Sequence, residues 1–378
     1  MYNDRSKEID HNRHCEMTCV DLFAGAGGFS LAAKNAGFNV VAAVELNKNA
    51  CLTYRINLAD KFGTDLYESD ILKLSPKKVV ERNFPNGREC DVLLGGPPCQ
   101  GFSVHRINNA GVSDPRNKLI LRYFKFVATL RPKVFLMENV PGLLWERHKS
   151  FLDAFYRAGK KSGYRVMDPV VIDARDYGLP QRRKRVFILG VRPDVELDVE
   201  WPPAPTHGSE TNRLRNPDLK SWQPSSLVFD RPILSGDEND IHMHHSEALV
   251  EVFKSTPLNG GSRHESKRTL PCHAEHNGHT DVYGRIDPTV PAPTMTTACI
   301  NPSKGRFVHP TEHHGITARQ AARFQTFPDW FVFKGGLMSI GEQIGNAVPV
   351  ELGEKLLNPI RDALNNSKTN ILGIRGRK

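Results

Sequence analysis

One cysteine of the sequence is a candidate nucleophile. Cys99 lies in the segment 95–103, GGPPCQGFS, which follows a short apolar run typical of a buried strand. Pro97 and Pro98 fix the backbone directly before it, so the thiol is held on a rigid loop at the end of a strand, where a nucleophile is well placed. The alternative interpretation of a small buried cysteine is the one we favour for the other six.

Two more loops carry groups that could act together with a nucleophile. Glu138 lies in the segment MENV, again just after an apolar run, and the segment 180–185, PQRRKR, leads into a further strand. Alternate residues of a strand face the same way, so Arg183 and Arg185 are expected to share one face. A nucleophile, a carboxylic acid and a guanidinium group on loops at one sheet edge form a coherent active site.

A glycine-rich segment indicates a ligand site before the catalytic loop. The segment 21–30, DLFAGAGGFS, follows the first apolar run and opens a helix, and its glycines allow a sharp turn and a close approach to a ligand. Glu45 follows about 20 residues later, a spacing that suits a carboxylate bound to ribose hydroxyls, and Asp70 is placed to accept from an adenine amino group. The spacing differs from GxGxxG, which argues against a dinucleotide; a glycine-rich connection without ligand is the alternative.

Alternating strands and helices must position these loops. The apolar runs predict strands at 18–23, 40–44, 91–94, 134–137 and 185–190, and the helical patterns predict helices at 29–36, 49–58, 119–130 and 151–161. This alternation predicts an α/β fold with a parallel sheet covered by helices on both faces. In such sheets, ligands bind at the carboxyl ends of the strands.

The chain divides into parts by composition. We predict a flexible leader at 1–16, a catalytic and cofactor-binding domain at 17–195, an irregular domain at 196–311, and a return to the catalytic domain at 312–378 that begins with a helix at 317–324 and ends in a basic tail. The third part is rich in Pro, Gly, Ser and His and has little helical periodicity.

The bulk composition excludes some classes of protein. The formal net charge of +9 over 378 residues favours a polyanionic partner such as nucleic acid. No apolar run approaches the roughly 20 residues of a membrane helix. The seven cysteines show no CxxC spacing and favour a reducing cytoplasm over a disulfide framework. Cys272, His273, His276 and His279 match no common zinc-finger spacing, so no metal is expected.

These motifs, in this order, resemble those of the cytosine-5 DNA methyltransferases, most simply the prokaryotic restriction–modification type. DLFAGAGGFS resembles the family's S-adenosylmethionine loop, GGPPCQGFS its catalytic loop, ENV its acidic motif and QRRKR its arginine motif, while GITARQAARFQTFPDWF and QIGNAVP resemble its last two motifs. The resemblance covers 21–190 and 317–349. It implies an S-adenosylmethionine-dependent methyltransferase (Rossmann-like) fold with a mixed, mostly parallel sheet, and a small, irregular target recognition domain at 196–311.

The resemblance implies a role for each site residue. Cys99 would be the nucleophile and Glu138 the acid, while Arg183 and Arg185 would steady the cytosine and Glu138. Contacts with S-adenosylmethionine are expected from Phe23, Ala24, Gly25, Gly27, Gly28, Glu45, Leu46, Asp70, Ile71, Pro97, Asn346 and Ala347. Contacts with DNA are expected from Gln100, Ser103, Arg263, Arg268, Arg285 and Thr294, the last of them beside the target phosphate.

The implied function is methyl transfer from S-adenosylmethionine to C5 of a cytosine flipped out of a specific duplex DNA sequence, through a covalent adduct of Cys99 with C6. The enzyme would be the modification component of a restriction–modification system, with a cognate endonuclease acting independently on the same sequence. A cytoplasmic location beside the nucleoid is expected, with no membrane contact, and a monomer would suffice. The alternatives are a tRNA cytosine-5 methyltransferase and a non-catalytic nucleic-acid-binding module on the same fold.

The sequence departs from the family pattern at three positions. Leu46 stands where an aromatic or bulkier residue often packs on the adenine, which leaves one packing contact in doubt. His314 and Gln320 stand where many members have Arg and Glu, in a motif whose role is structural. We therefore expect these two differences to have little effect on the chemistry.

Overall fold

A computed structural model of the chain describes residues 16–98, 115–266 and 281–375. Its centre is an eight-stranded sheet with the order β3-β2-β1-β4-β5-β8-β6, in which β7 also pairs with β8. The strands are β1 (Thr18–Leu22), β2 (Asn39–Glu45), β3 (Asp65–Glu68), β4 (Val92–Gly95), β5 (Val134–Asn139), β6 (Arg165–Val166), β7 (Val170–Asp173) and β8 (Lys184–Val191).

The sheet is mixed and mostly parallel, as the sequence predicts. Strands β1 to β5 run parallel to one another, and β8 runs antiparallel to β5, β6 and β7. The chain order reverses at β1, which has β2 on one side and β4 on the other. A crevice for ligands is expected where the order reverses, at the carboxyl ends of these strands.

Each central strand is buried on both faces. Leu136 of β5 and Phe187 of β8 belong to one apolar cluster, while their neighbours Met137 and Val186 belong to the other. This alternation follows from the period of two along a strand. Because helices cover both faces, the strands read as continuous apolar runs, which is why the sequence predicted them well.

Helices lie on both faces of the sheet, and three more lie in the region 196–311. They are α1 (Gly28–Asn35), α2 (Lys48–Tyr54), α3 (Asp60–Phe62), α4 (Pro76–Asn83), α5 (Pro115–Leu130), α6 (Lys149–Lys161), α7 (Glu210–Arg215), α8 (Ser226–Phe229), α9 (Glu247–Ser255), α10 (Ala318–Phe324), α11 (Leu337–Asn346) and α12 (Val350–Arg375). A π-helical turn at Arg55–Ala59 follows α2, so the single helix predicted at 49–58 is interrupted. Within the described ranges, each helix is too short or too polar to cross a bilayer.

The region 196–311 is less irregular than its composition suggests. Besides α7 and α8 and a two-stranded parallel pair, β9 (His207–Gly208) and β10 (Lys220–Ser221), it contains the helix α9. This helix begins where the side chain of Ser246 accepts a hydrogen bond from the backbone N–H of Leu249 at 3.4 Å. A serine at the N-cap is a local signal for the start of a helix, although no helix was predicted at this position.

The same region packs continuously with the core of the catalytic domain. Met295 and Phe307 belong to the apolar cluster that covers one face of the sheet. Near the predicted boundary at 311/312, the backbone N–H of His309 donates to the carbonyl oxygen of His314 at 2.9 Å. The change in composition at 311/312 therefore does not coincide with a gap in the packing.

Gly190 tests the close packing of β5 against β8. It lies opposite Phe135, and a Cβ added there would lie 2.1 Å from two atoms of the buried Phe135 ring. We expect Gly190→Ala to lower the free energy of unfolding by about 1–3 kcal/mol, because the methyl group overpacks the interior. Urea denaturation followed by circular dichroism measures the change.

Gly336→Ala is the matched control for this variant. A Cβ at Gly336 would meet no heavy atom within 4 Å, and its φ of −70° suits any residue. The loss there is expected to stay within about 1 kcal/mol, the usual cost of alanine at a helix N-cap. Equal losses in the two variants would contradict the packing argument.

Candidate active site

The carboxyl ends of neighbouring strands bring the predicted site residues to one edge of the sheet. Phe23 follows β1, and Glu45 is the last residue of β2. Gly96 follows β4, and Glu138 is the last residue but one of β5. Leu22 is in register with Gly95, which is in turn in register with Met137. The glycine-rich loop and the loop that leads to Cys99 therefore start side by side, and Glu138 lies next to the second of them.

Glu138 and Arg185 form an ion pair at this edge. Arg185 Nε lies 2.9 Å from Glu138 Oε1. Glu138 is in register with Phe187 on the antiparallel strand β8, and Arg185 is two residues before Phe187. Such diagonal neighbours on one face of an antiparallel pair are within reach of each other when the side chains are long. The strand register therefore explains the contact.

The second carboxylate oxygen of Glu138 faces the start of the catalytic loop. A Cβ added at Gly96 would lie 3.3 Å from Glu138 Oε2. The next residue of the loop is anchored as well, because Asn139 Nδ2 donates to the carbonyl oxygen of Pro97 at 3.3 Å. The absence of a side chain at Gly96 lets the carboxylate approach this loop.

Four predicted residues, Cys99, Gln100, Ser103 and Arg268, lie outside the described residues.

Burial raises the pKa of the Glu138 carboxyl above its ordinary value, while the positive charges of Arg185 and Arg183 lower it. The side chain is 11% exposed. Desolvation disfavours the charged form, and the ion pair favours it. The balance allows this carboxyl group to carry a proton at a higher pH than an exposed glutamate does.

The other predicted arginine holds backbone segments. Arg183 is fully buried, and its guanidinium group donates to the carbonyl oxygens of Met295 at 2.8 Å, Gly345 at 2.8 Å and Ala347 at 2.9 Å. The direct contact with Glu138 is made by Arg185, and the role of both arginines toward a cytosine stays a prediction. Burial lowers the pKa of Arg183, and the nearby Glu138 opposes this effect.

Two buried glutamines belong to the same network, and the sequence analysis assigned them no role. Gln181 Oε1 accepts from the backbone N–H of Met295 at 2.8 Å, and Gln181 Nε2 donates to Gln325 Oε1 at 3.0 Å. Gln325 Nε2 donates to the carbonyl oxygens of Ile344 and Ala347. Both lie in motifs quoted above, but nothing in their local pattern indicates burial.

The glycine-rich loop orients the carboxylate of Glu45. The backbone N–H of Gly25 donates to Glu45 Oε2 at 2.8 Å, and those of Leu46 and Asn47 donate to Oε1 at 2.8 and 2.7 Å. Gly25 has a φ of +56°, in the left-handed region that favours glycine, and a Cβ there would meet nothing within 4 Å. Open space therefore adjoins the Gly25 turn.

The other predicted cofactor residues lie around this loop. The backbone N–H of Leu72 donates to Asp70 Oδ1 at 2.9 Å, while Ile71 is buried. A Cβ at Gly28 would lie 3.2 Å from Ala347 Cβ, so the end of α11, with the exposed Asn346, meets the start of α1. The remaining members are placed as follows: Phe23 and Leu46 are accessible, whereas Ala24, Gly27 and Pro97 are buried.

A buried carboxyl group lies beneath the glycine-rich loop. Ser30 Oγ donates to Asp21 Oδ2 at 2.6 Å, and the hydroxyl of Tyr54 donates to Ser30 Oγ at 2.8 Å. Asp21 is 1% exposed, and burial raises its pKa to about 7, although the hydrogen bond from Ser30 opposes the shift. Asp21 belongs to the glycine-rich motif, but nothing in the local sequence pattern indicates its burial.

The structure contradicts one predicted DNA contact. Arg285 is fully buried, and its guanidinium group donates to the backbone carbonyl oxygens of Phe253, Thr256, His309 and Glu312. An arginine whose donors are used inside the protein is not available to a base edge, so the prediction for Arg285 is wrong.

Two other predicted DNA contacts lie nearer the surface. Arg263 is half-buried on a 3₁₀ turn that Ser262 and Glu265 close with a capping box. Thr294 is half-buried, and its hydroxyl donates to the carbonyl oxygen of Arg182 at 2.6 Å. Their contacts with DNA stay predictions.

Within the described ranges no group of His, Cys, Asp and Glu is arranged to hold a metal ion. The residues Cys272, His273, His276 and His279 lie outside those ranges.

Comparison with known proteins gives a consistent family. A family model described as C-5 cytosine-specific DNA methylase matches residues 17–362. The type II methyltransferase M1.HphI of Haemophilus parahaemolyticus is 31% identical over 350 residues, which cover 91% of this chain and 86% of that protein. The type II methyltransferase M.DdeI of Desulfomicrobium norvegicum is 30% identical over 383 residues, 91% of this chain and 88% of that protein.

Solved structures share the fold. A crystal structure described as that of a prophage-encoded DNA modification methyltransferase from E. coli aligns with a TM-score of 0.70 at 25% identity, over 92% of this chain and 99% of that one. The structure of a Spodoptera frugiperda DNMT2 mutant aligns with a TM-score of 0.60 at 16% identity, over 91% and 99% of the two chains. The second likeness bears on the fold alone.

Asp21 is expected to make the stability depend on pH. With a pKa near 7 in the folded protein and about 4 in the unfolded chain, its carboxyl group binds a proton only in the folded state between these values. The free energy of unfolding should therefore fall by about 1.4 kcal/mol per unit as the pH rises through this window. Asp21→Asn removes this contribution.

Urea denaturation at pH 5, 6 and 7 measures the effect. Asp153→Asn, which removes the same charge from an exposed position of α6, should keep the pH dependence of the unchanged protein. The same slope in Asp21→Asn and in the unchanged protein would show that Asp21 is not the group responsible.

Removing the partner of Glu138 is expected to raise its pKa further. In Arg185→Gln the nearest positive charge is lost, whereas the burial that raises the pKa of Glu138 stays. Carbon-13 NMR of labelled glutamate side chains, with Glu138→Gln to assign the signal, measures the titration. A pKa that is unchanged or lower in Arg185→Gln would rule out the ion pair as a determinant of the Glu138 charge.

Proposed function

The chain belongs to the C-5 cytosine-specific DNA methylases and is a DNA (cytosine-5) methyltransferase, and we propose that its target is a cytosine flipped out of a specific duplex sequence. The methyl donor in this proposal is S-adenosylmethionine, and the methyl group is added to C5. We further propose that a covalent bond between Cys99 and C6 activates the base. The type II methyltransferases among its relatives support a role as the modification enzyme of a restriction–modification system.

The observation that carries the proposal is the position of the Glu138–Arg185 ion pair. The free side of the Glu138 carboxylate faces Gly96, where the loop that leads to Cys99 begins. An acid and a nucleophile must address opposite parts of one small ring, so they have to come from adjacent loops. Strands β4 and β5, which carry these loops, are direct neighbours.

The residues at the ends of β1 and β2 fit S-adenosylmethionine. Glu45 is held in place by three backbone N–H groups, and a carboxylate at this point of the sheet suits the hydroxyl groups of a ribose. The open space beside Gly25 leaves room for a ligand against the backbone. We propose that Phe23, Asp70 and Asn346 complete the site. When bound, the cofactor would supply an electrophilic methyl group on its sulfonium.

The proposed chemistry starts with an unreactive base. C5 of cytosine belongs to an aromatic ring, and the stacked duplex hides C6, so the base has to leave the helix at a cost of a few kcal/mol. The Cys99 thiolate then adds to C6 and forms the sulfur–carbon bond. The electron pair of the C5–C6 double bond moves toward N3, which takes a proton from Glu138.

The second half of the reaction restores the ring. The enamine produced by the addition makes C5 nucleophilic, and C5 would take the methyl group of a bound sulfonium, whose sulfur would keep the electron pair of the broken sulfur–methyl bond. The C5 proton then leaves to water, and the carbon–sulfur bond breaks, so Cys99 returns as thiolate. Glu138 recovers its proton from N3 as aromaticity returns.

The electrostatics of Glu138 support this role. N3 of cytosine is an acceptor, so a carboxyl group that addresses it has to carry the proton, and burial raises the pKa of Glu138 accordingly. Arg185 fixes one oxygen of the group, which leaves Oε2 toward the loop. Arg183 serves the arrangement indirectly, through the segments that it holds.

The remaining parts of the proposal rest on the family. Gln100, Ser103, Arg263, Arg268 and Thr294 are proposed to contact the DNA. A cognate endonuclease that acts independently, a monomeric state and a cytoplasmic location are part of the same proposal.

Cys99→Ala is expected to abolish methyl transfer, because no addition to C6 can take place without the thiolate. The measurement is incorporation of tritiated methyl groups into duplex DNA, with tRNA incubated in parallel. Cys90→Ala is the matched control, because Cys90 is a buried cysteine that precedes the first residue of β4, at the opposite end of the strand from Cys99. This variant should retain activity. Turnover in Cys99→Ala would contradict the proposed mechanism. Methyl transfer to tRNA instead of DNA would contradict the proposed substrate.

The same variants test the covalent step directly. Bisulfite sequencing of DNA from cells that express the protein gives the methylated sequence. An oligonucleotide with 5-fluorocytosine at that position should trap a covalent complex, because fluorine cannot leave as a proton does. Denaturing electrophoresis should show the complex with the unchanged enzyme and with Cys90→Ala, but not with Cys99→Ala. An active enzyme that gives no adduct would contradict the Cys99–C6 bond.

A further inference from the structure

We propose that Gln181 is a positioning residue that couples DNA binding to cofactor binding, together with its partner Gln325. This inference rests on the proposed function. It concerns two segments: the 292–297 segment, which carries the proposed DNA contact Thr294, and the 344–347 segment, which carries the proposed cofactor contact Asn346.

Gln181 uses its whole side chain inside the protein. It is fully buried, its Oε1 accepts from the backbone N–H of Met295 at 2.8 Å, and its Nε2 donates to the carbonyl oxygen of Phe324 at 2.8 Å and to Gln325 Oε1 at 3.0 Å. One carboxamide therefore joins the 292–297 segment to the end of α10. A buried carboxamide with three partners fixes the position of each of them, because losing one leaves an unsatisfied polar group.

Gln325 extends this connection to the cofactor side. It is fully buried as well, and its Nε2 donates to the carbonyl oxygens of Ile344 at 2.6 Å and Ala347 at 3.1 Å. These two carbonyl groups flank Gly345 and Asn346. The end of α11 is thus held by the same pair of glutamines that holds Met295.

Arg183 forms a second connection between the two segments. Its guanidinium group donates to the carbonyl oxygens of Met295, Gly345 and Ala347. Both backbone polar groups of Met295 are therefore held, the N–H by Gln181 and the carbonyl oxygen by Arg183. A shift of this residue has to disturb one of the two connections.

The backbones of the two segments are also in direct contact. A Cβ added at Gly345 would lie 2.3 Å from the carbonyl carbon and oxygen of Thr296 and from the backbone nitrogen of Thr297. At this separation the segments cannot slide past each other, since interiors are close-packed. Displacement of the 292–297 segment is passed on to residue 345.

The arrangement meets the physical requirement for coupling. Two sites are coupled when each ligand biases the same packed element, and the effect is reciprocal. DNA at Thr294 would bias the position of Met295, and a cofactor at Asn346 would bias the position of the 344–347 segment. Gln181, Gln325 and Arg183 connect these two positions through hydrogen bonds.

Calorimetry with S-adenosylhomocysteine as the probe tests the proposal. Its Kd is measured for the full chain alone and in complex with a duplex that contains the methylated sequence, and the ratio of the two values is the coupling factor. For the unchanged enzyme we expect a factor of at least about 5, within the usual range of about 5 to 150. Failure to bind S-adenosylhomocysteine or DNA at all would be a failure of the proposed function instead.

Three variants separate positioning from general stability. Gln181→Leu and Gln325→Leu should reduce the coupling factor to about 1–2, while the Kd for S-adenosylhomocysteine without DNA stays within about threefold of the unchanged value. Gln343→Leu is the matched control, because Gln343 is a buried glutamine of α11 whose Nε2 donates to the carbonyl oxygen of Lys334 at 2.9 Å, outside the network. It should keep the full coupling factor.

Gln181→Glu keeps the test valid if the leucine variants do not fold. A glutamate there retains the acceptor for the N–H of Met295 and, when protonated, one donor, so coupling should be partly retained and stronger at pH 6 than at pH 8. The proposal is overturned by a coupling factor near 1 in the unchanged enzyme, by folded Gln181 variants with undiminished coupling, or by an equal loss in Gln343→Leu.

Discussion

The buried guanidinium group of Arg183 is the interaction on which the arrangement of the site depends. A charged group inside a protein costs several kcal/mol of desolvation unless polar partners surround it. Arg183 obtains these partners from the carbonyl oxygens of Met295, Gly345 and Ala347. The two segments are about fifty residues apart in the chain, so Nη1 and Nη2 find these acceptors only when the region 196–311 and the last helices are both in place, while Nε has no hydrogen-bond partner among the described residues.

The direction of β8 makes this arrangement possible. Because β8 is antiparallel to β5, it begins at the edge where β5 ends, and the segment that leads into it lies beside Glu138. A parallel strand would have placed the same arginines at the opposite edge. Arg185 then pairs with Glu138 across the strands, whereas Arg183 contacts the segments above. One short basic segment thus supplies an electrostatic partner for the acid and an anchor for its surroundings.

The sequence predicted the parts of the fold that depend on local patterns. The buried strands of a parallel sheet are continuous apolar runs, and the sequence predicted Glu45 and Glu138 at the ends of such runs; the structure has them as the last residue of β2 and the last but one of β5. The capping box of α10 is also local: Gln320 accepts from the backbone N–H of Thr317 at 2.9 Å, as a glutamate would. This explains why glutamine at that position leaves the helix intact.

The burial of polar side chains depends on distant residues and could not be predicted. Arg285 lies in a Gly- and His-rich region that reads as a DNA surface, yet its partners Phe253, His309 and Glu312 are about 24 to 32 residues away. The partner of Gln181, Gln325, is 144 positions away. The residue type of Arg285 suggested a contact with DNA, while the local pattern gave Gln181 no role, and only the tertiary structure supplies the oxygen atoms that accept their hydrogen bonds.

The buried polar groups around the site have a common physical consequence. Apolar side chains of similar volume at the positions of Arg183, Gln181 and Gln325 would remove a partner from several buried backbone groups, which costs about 1–3 kcal/mol for each group left unsatisfied. Apolar contacts are also non-directional, and they tolerate shifts that a hydrogen bond to one carbonyl oxygen does not. The network therefore selects one register between the segments beside the sheet edge. Because a site has to be held to within about 0.5 Å to be productive, this selectivity of position accounts for buried polar groups at places whose volume an apolar side chain could fill.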